Sequence, residues 1–236
     1  LFDGSAHAPF PVAPYETRAC AALVPGWLAP RFHARFGDAF EAEAQALVAR
    51  APLDLRVAPW ADIAAVAAEL GASPIPGLPR ALRLETPRPL ERHPLLESGA
   101  VEIQDAGSQH VVAFGGAQRG ETVIDLCAGA GGKTLGLAAD MAREGRLIAS
   151  DTDRSRLQAM GPRLLRAGLP AFVEPRLLNP GREAEALADL AGAADLVLVD
   201  APCSGTGTWR RNPELRWRLT EDRLARLAHV QARLID

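Results

Sequence analysis

Residues 123–134 constrain the fold of this chain more than any other stretch. A short apolar run reaches Asp125, breaks into a turn carrying Gly129, Gly131 and Gly132, and gives way to a new apolar stretch at 135–139. A buried strand handing over to a helix reads this way, and such a turn brings backbone N–H groups close to a ligand. Lys133 sits inside the turn and is the only lysine; the other 25 of the 26 basic residues are arginines. A plain glycine-rich turn with no ligand is the bland alternative.

Two chemistries use such a turn. A phosphate-cradling loop needs G-x-x-x-x-G-K-[ST], and aligning its end on Gly132, Lys133 and Thr134 puts Cys127 where the first glycine belongs. The other is the first turn of a Rossmann-like methyltransferase, where the backbone passes the methionine part of S-adenosylmethionine. Residues 146–151 read as a second strand ending in an acid, Asp151, 26 residues after Asp125. That is about the spacing that sets a carboxylate on ribose hydroxyls. Residues 171–178 read as a third strand, and residues 195–200 as a further apolar strand ending in Asp200. Alone it would pass for a magnesium-binding strand, but the sequence Ala201, Pro202, Cys203, Ser204, Gly205, Thr206, Gly207, Thr208 does not fit that role.

Residues 200–208 resemble the signature of the Sun/NOL1/NOP2 family of RNA cytosine-C5 methyltransferases. The turn at 127–134 is similar to that family's C-A-A-P-G-G-K-T, with Gly129 and Ala130 in place of the alanine and proline. Residues 103–109, 151–157 and 210–214 match further segments in order, so the resemblance runs from about residue 95 to Asp236. It implies an α/β fold: a Rossmann-like class I methyltransferase domain at 98–236, preceded at 1–97 by a small α+β RNA-binding module. The proline-rich stretch at 86–94 is the expected connector.

The implied chemistry explains the residue types. A cysteine thiolate adds to carbon 6 of cytosine, carbon 5 attacks the methyl sulfonium, and a base then removes the carbon 5 proton. A carboxylate near N3 supports the addition. By resemblance Asp200 is that carboxylate, and Cys203 assists release of the methylated product; Cys203 as attacking thiol is the minority reading. Cys127, Ala128, Gly129, Ala130, Gly131, Gly132 and Lys133 would line the cofactor's methionine end, Asp151 would hold the ribose, and Asp200 borders the same site. Arg156 and Asn179 are further cofactor candidates, Asn179 standing where the family often has an aspartate. For Asp200 and Arg156 the plain alternatives are a turn cap and a solvated helix residue. The attacking thiol belongs to a later Thr-Cys segment that this sequence does not contain, so the chain itself is expected to bind cofactor but transfer poorly, with an incomplete sheet.

Composition sets the remaining expectations. No apolar run approaches the roughly 20 residues that span a bilayer, and three scattered cysteines and five histidines suggest neither disulfides nor a metal site. A cytoplasmic enzyme is the default. Net charge is −3, so an RNA partner, ribosomal first and transfer RNA next, relies on local arginine clusters. Arg154, Arg156, Arg163 and Arg166 share one expected helix. Arg210, Arg211, Arg216 and Arg218 interleave with Trp209 and Trp217, a pattern that suits base stacking or, more plainly, a solvated helix with tryptophans in a core. The rival readings are a P-loop NTPase and a non-catalytic RNA-binding protein that retains the cofactor fold.

Overall fold

The computed structural model describes residues 23–235. Expectations that fall on residues 1–22, Cys20 among them, and on Asp236 lie outside the described residues. The described residues form two compact units: one from residues 23–51 with Cys203–Ala232, the other from Pro52–Pro202 with residues 233–235.

In the first unit two short helices follow one another, α1 (Ala29–Phe36) and α2 (Phe40–Ala46). The break is at Gly37, whose φ of 53° is a conformation that ends a helix and that side chains other than glycine's resist. Val24, Leu28, Phe40, Ala44, Trp209 and Leu219 form this unit's core. The Trp209 ring stacks on Phe32 with centroids 5.9 Å apart and planes 3° from parallel. Arg216 is buried, donating to the carbonyls of Leu23 at 3.3 Å and Pro213 at 2.8 Å. Of the second arginine–tryptophan group, then, Trp209 and Arg216 are structural, while Trp217 is exposed.

The second unit holds two sheets. Strands β1 (Leu53–Val57), β2 (Ser73–Pro74), β3 (Ala81–Leu84) and β4 (Val101–Ile103) form an antiparallel sheet in the order β2-β3-β1-β4. Leu55, Val57, Leu82, Leu84 and Val101 pack from it against Val66 and Leu70 of α3 (Ile63–Leu70). Asp62 starts α3 by accepting from the Ala64 and Ala65 amides. Gly71, at φ 61°, ends it. The proline-rich stretch leads into the short helix α4 (Pro94–Glu97).

The second sheet is parallel: β5 (Thr122–Asp125), β6 (Arg146–Asp151), β7 (Val173–Leu177) and β8 (Leu196–Leu198), in the order β7-β6-β5-β8. Helices α5 (Ala106–Gly115), α6 (Gly132–Asp140) and α7 (Arg154–Arg166) accompany it. Val123, Leu135, Leu137, Leu147, Ala149, Met160 and Leu164 make its main core. Strands buried on both faces carry continuous apolar runs, as β6 does from Leu147 to Ala149. Among the described residues β8 is an edge strand. It is shorter than the run to Asp200 predicts because its ladder with β5 ends at Asp125 opposite Leu198, where β5 itself turns away.

Strand order fixes where a site can form. From β5 the chain proceeds to β6 and β7 on one side, then crosses to β8 on the other. Such a reversal opens a crevice at the carboxyl ends of the two diverging strands, where open α/β sheets bind ligands. Among the described residues, no helix is long and apolar enough to cross a membrane.

Candidate active site

The loop after β5 and the loop after β8 meet at that reversal. Lys133 Nζ lies 2.5 Å from Asp200 Oδ2 and 3.4 Å from Ser108 Oγ. The Lys133 side chain is 15% exposed and that of Asp200 50%, so the cation is fixed in the wall and the carboxylate faces outward. A cavity of about 220 Å³ opens between them, bordered also by Gln104, Asp125, Cys127 and Arg163. A larger cavity of about 540 Å³ is lined mainly by alanines and leucines with Trp60 and Arg56, and contains none of the sequence-derived site residues. Convergent polar groups, rather than volume, make the smaller one the candidate site.

The glycine turn is built as its sequence requires. Gly129 and Gly131 have φ of 56° and 82°, and a Cβ on Gly131 would sit 2.5 Å from Met160 Cγ. The turn's backbone therefore runs closer to α7 than a side chain permits. Gly131 caps α6, which leaves that helix's first N–H groups without intrahelical acceptors at the crevice. Asp151, at the end of β6, holds the turn by accepting the Gly129 amide at 2.8 Å on one oxygen and the Asp153 amide at 2.8 Å on the other. A carboxylate has about four lone-pair sites, so Asp151 retains capacity for two hydroxyl donors.

Asp125 is the site residue to which the sequence assigned no role. It is buried at the end of β5 and accepts from Thr134 Oγ1 at 2.7 Å on Oδ2, while Oδ1 has no hydrogen-bond partner. Burial pushes its pKa up to about 6; the Thr134 hydrogen bond and Lys133 pull it down, and Asp200 and Asp151 add to the rise. Burial, with the Asp151, Asp125, Asp200 and Glu183 carboxylates, also raises the Cys127 thiol to about 11. Gln104 and Ser108 were also without a role, although both fall in the matched segment 103–109, and Arg163 was read only as one of an RNA-facing arginine cluster.

The other sequence-derived residues are less gathered. Cys127, Ala128, Gly132, Lys133 and Asp200 border the crevice, while Gly129, Ala130 and Gly131 complete the turn behind it. Arg156 and Asn179 are exposed and outside the cavity lining. Arg156 approaches Asp153 at 3.7 Å, and Asn179 stands two residues beyond β7 at the sheet's carboxyl edge. Cys203 is exposed and opens the second segment of the other unit. On α7, Arg163 and Arg166 pair with Glu102 at 3.0 and 3.5 Å, so two of the four arginines read as an RNA-facing cluster are engaged within the protein. Among the described residues, no group of three or more acidic, histidine or cysteine side chains could hold a metal ion.

Residues 115–236 match the family described as 16S rRNA methyltransferase RsmB/F. The chain belongs to this family. Relatives include the ribosomal RNA small subunit methyltransferase B of Citrobacter koseri, 35% identical over 234 residues, covering 95% of this chain and 53% of that protein. The same-named protein of Salmonella arizonae is 36% identical over 221 residues, 91% of this chain and 50% of that one. The chain spans about half the length of the curated relatives it matches. The crystal structure of PH0851 superposes with a TM-score of 0.87 at 30% identity, over 98% of this chain and 53% of that one. NSun6 from Pyrococcus horikoshii with SFG gives a TM-score of 0.74 at 17% identity, over 89% and 78%, a likeness of fold. The fold is thus the Rossmann-like α/β fold of the methyltransferases, and membership of the family sets aside the nucleoside-triphosphatase reading.

Proposed function

We propose that the chain carries the cofactor and cytosine sites of an RNA cytosine-C5 methyltransferase that uses S-adenosylmethionine, acting on ribosomal RNA in the cytoplasm. The observation that carries this reading is the Lys133–Asp200 contact at the sheet's reversal, beside a glycine turn tied to Asp151. The relatives' ribosomal RNA activity favours that substrate, with transfer RNA next. Residues 98–236 would supply the chemistry, and residues 1–97 the module that contacts RNA.

The residues fit the cofactor. An amino acid ammonium finds an acceptor in the unpartnered Asp125 Oδ1, a ribose finds the spare lone pairs of Asp151, and backbone N–H groups at the start of α6 face the crevice. Cys127, Ala128, Gly129, Ala130, Gly131, Gly132 and Lys133 would then border the methionine end, with Asn179 and Arg156 toward the adenosine. When bound, the cofactor supplies an electrophilic methyl group.

Asp200 faces outward from the wall with Lys133 fixed on one of its oxygens. That leaves the other oxygen to share a proton with N3 of a cytosine as a nucleophile adds to the ring, with Lys133 balancing the charge left on Asp200. Cys203 follows three residues later and would serve product release.

Calorimetric titration of the chain with S-adenosylmethionine, with Mg-ATP in parallel, tests the reading. Saturable binding that weakens in Asp151→Ala is the expected result. Binding of Mg-ATP alone, or no binding by a folded chain, sinks it.

A further inference from the structure

Three glycines in four positions leave the turn at 129–132 almost without side chains to fix its own backbone, and glycine loses the most conformational freedom on ordering. Two of its carbonyls, and one in the first turn of α6, are instead gripped from outside. Arg163 Nη1 donates to Ala130 O at 2.8 Å, Gln104 Nε2 to Gly132 O at 2.9 Å, and Arg56 Nη1 to Leu135 O at 3.1 Å. The donors lie 33, 28 and 79 residues away in sequence, on α7, after β4 and on β1.

The grips are joined. Arg56 Nε donates to Gln104 Oε1 at 2.7 Å, which orients the amide so that its NH₂ faces Gly132. Gln109 Nε2 donates to the Gln104 carbonyl at 2.9 Å. Glu102 accepts from Arg163 Nε and Nη2 at 3.2 and 3.0 Å, aiming the remaining nitrogen at Ala130. Arg56 is desolvated enough for its pKa to fall to about 10, with Glu102 opposing the fall. It remains a cation under ordinary conditions, and charged donors make the stronger hydrogen bonds.

A peptide unit is planar, with its carbonyl and the following N–H on opposite sides. Holding Gly132 O therefore holds the Lys133 N–H, and holding Ala130 O steadies the Gly131 N–H, which donates to Ala128 O at 2.9 Å and closes the turn. We propose that Arg56, Gln104 and Arg163 are positioning residues that fix the N–H directions of the cofactor turn, through which the antiparallel sheet sets affinity for the amino acid end of the cofactor. This rests on the cofactor reading above. None of the three is expected to touch the reacting atoms.

The test compares S-adenosylmethionine with adenosine, which lacks the amino acid end, on the chain and on Gln104→Leu, Arg56→Met and Arg56→Lys. In the leucine and methionine variants, affinity for S-adenosylmethionine should fall about tenfold, the scale of one lost buried hydrogen bond, while adenosine binding is unchanged. Arg56→Lys keeps the charge and should recover part of the loss. Amide hydrogen exchange at residues 131–134 of the ligand-free variants should quicken, with β5 and β6 unaffected. Equal weakening of both ligands, or unaltered exchange at 131–134 in a folded variant, overturns the inference alone. No cofactor binding by the unaltered chain overturns the underlying reading and this inference with it.

Discussion

Lys133 and Asp200 are 67 residues apart in sequence and 2.5 Å apart in space, one from the turn after β5 and the other from the loop after β8. With Asp200 half exposed, the pair is worth about 1 kcal/mol or less to stability, so its placement is better explained by chemistry than by folding. Lys133→Met and Asp200→Asn should each unfold within about 1 kcal/mol of the unaltered chain in urea. In the whole protein, the same changes should lower methyl transfer to cytosine about a hundredfold or more. Transfer at the original rate by Asp200→Asn would remove that carboxylate from the mechanism.

Asp125 gives the chain a pH signature. Its pKa is about 6 when folded, against an ordinary value of 3.8. Between roughly pH 4 and pH 6 the unfolded chain has released this proton while the folded chain still holds it, so this group's contribution to stability falls as pH rises and levels off above about 6. A shift of about two units corresponds to about 3 kcal/mol. Asp125→Asn, which can still accept from Thr134, should therefore be more stable than the parent above pH 6 by up to that amount, with the advantage vanishing below about pH 4. Urea midpoints across that range check it; an advantage independent of pH would mean that burial does not perturb Asp125.

Thr134→Val removes the sole donor to Asp125 Oδ2 while keeping the side chain's size. The buried carboxyl then lacks hydrogen bonds on both oxygens, and the cost should be about 1–3 kcal/mol. The penalty should shrink toward acid pH, where a protonated Asp125 is easier to bury. Thermal unfolding at two pH values decides it, and a pH-independent loss would point to packing instead.

What the sequence disclosed and what it hid follow from the range of the interactions. The strand–turn–helix at 123–134 and the acids Asp151 and Asp200 were legible because alternation of apolar runs, glycines and carboxylates is local. Their convergence followed from strand order, which the resemblance supplied. Asp125 was visible as a strand end, but its role depends on Thr134 and on burial, neither of which has a local pattern. Arg163 read as part of a solvent-facing arginine row because helix periodicity does not reveal that Glu102 of another sheet lies opposite. For Trp209 the sequence left base stacking and a place in the core both open, and the ring is fully buried against Phe32. Contacts between distant segments decided both cases.

Two glycines separate conformational strain from steric clash. At Gly131 the φ is 82° and a new Cβ would meet the flexible Met160 side chain. Gly131→Ala should cost about 1–3 kcal/mol, and adding Met160→Ala should relieve the clash but not the backbone strain. At Gly145 the φ is 101° and the Cβ would lie 2.2 Å from the Glu121 carbonyl oxygen, which cannot swing aside. Gly145→Ala should therefore be the more damaging although it lies away from the crevice. Paired unfolding curves test the order, and the reverse order would show that the Met160 side chain yields less readily to the turn than the Glu121 backbone does to Gly145.

Cysteine reactivity separates the two cysteines assigned to the site. Cys127 is half-buried, and burial together with the carboxylates of Asp151, Asp125, Asp200 and Glu183 raises its thiol to about 11. At pH 8 only about one part in a thousand is thiolate, and the thiolate is the species that alkylates. Cys203 is exposed. In a Cys20→Ser background, iodoacetamide should therefore label Cys203 well before Cys127, as followed by peptide mass mapping. Raising the pH toward 10 should accelerate Cys127 about tenfold per unit, because the thiolate fraction of a group titrating near 11 grows in that proportion. Equal labelling at pH 8 would mean that the turn exposes its cysteine to solvent, and with it the backbone that Gln104 and Arg163 hold in place.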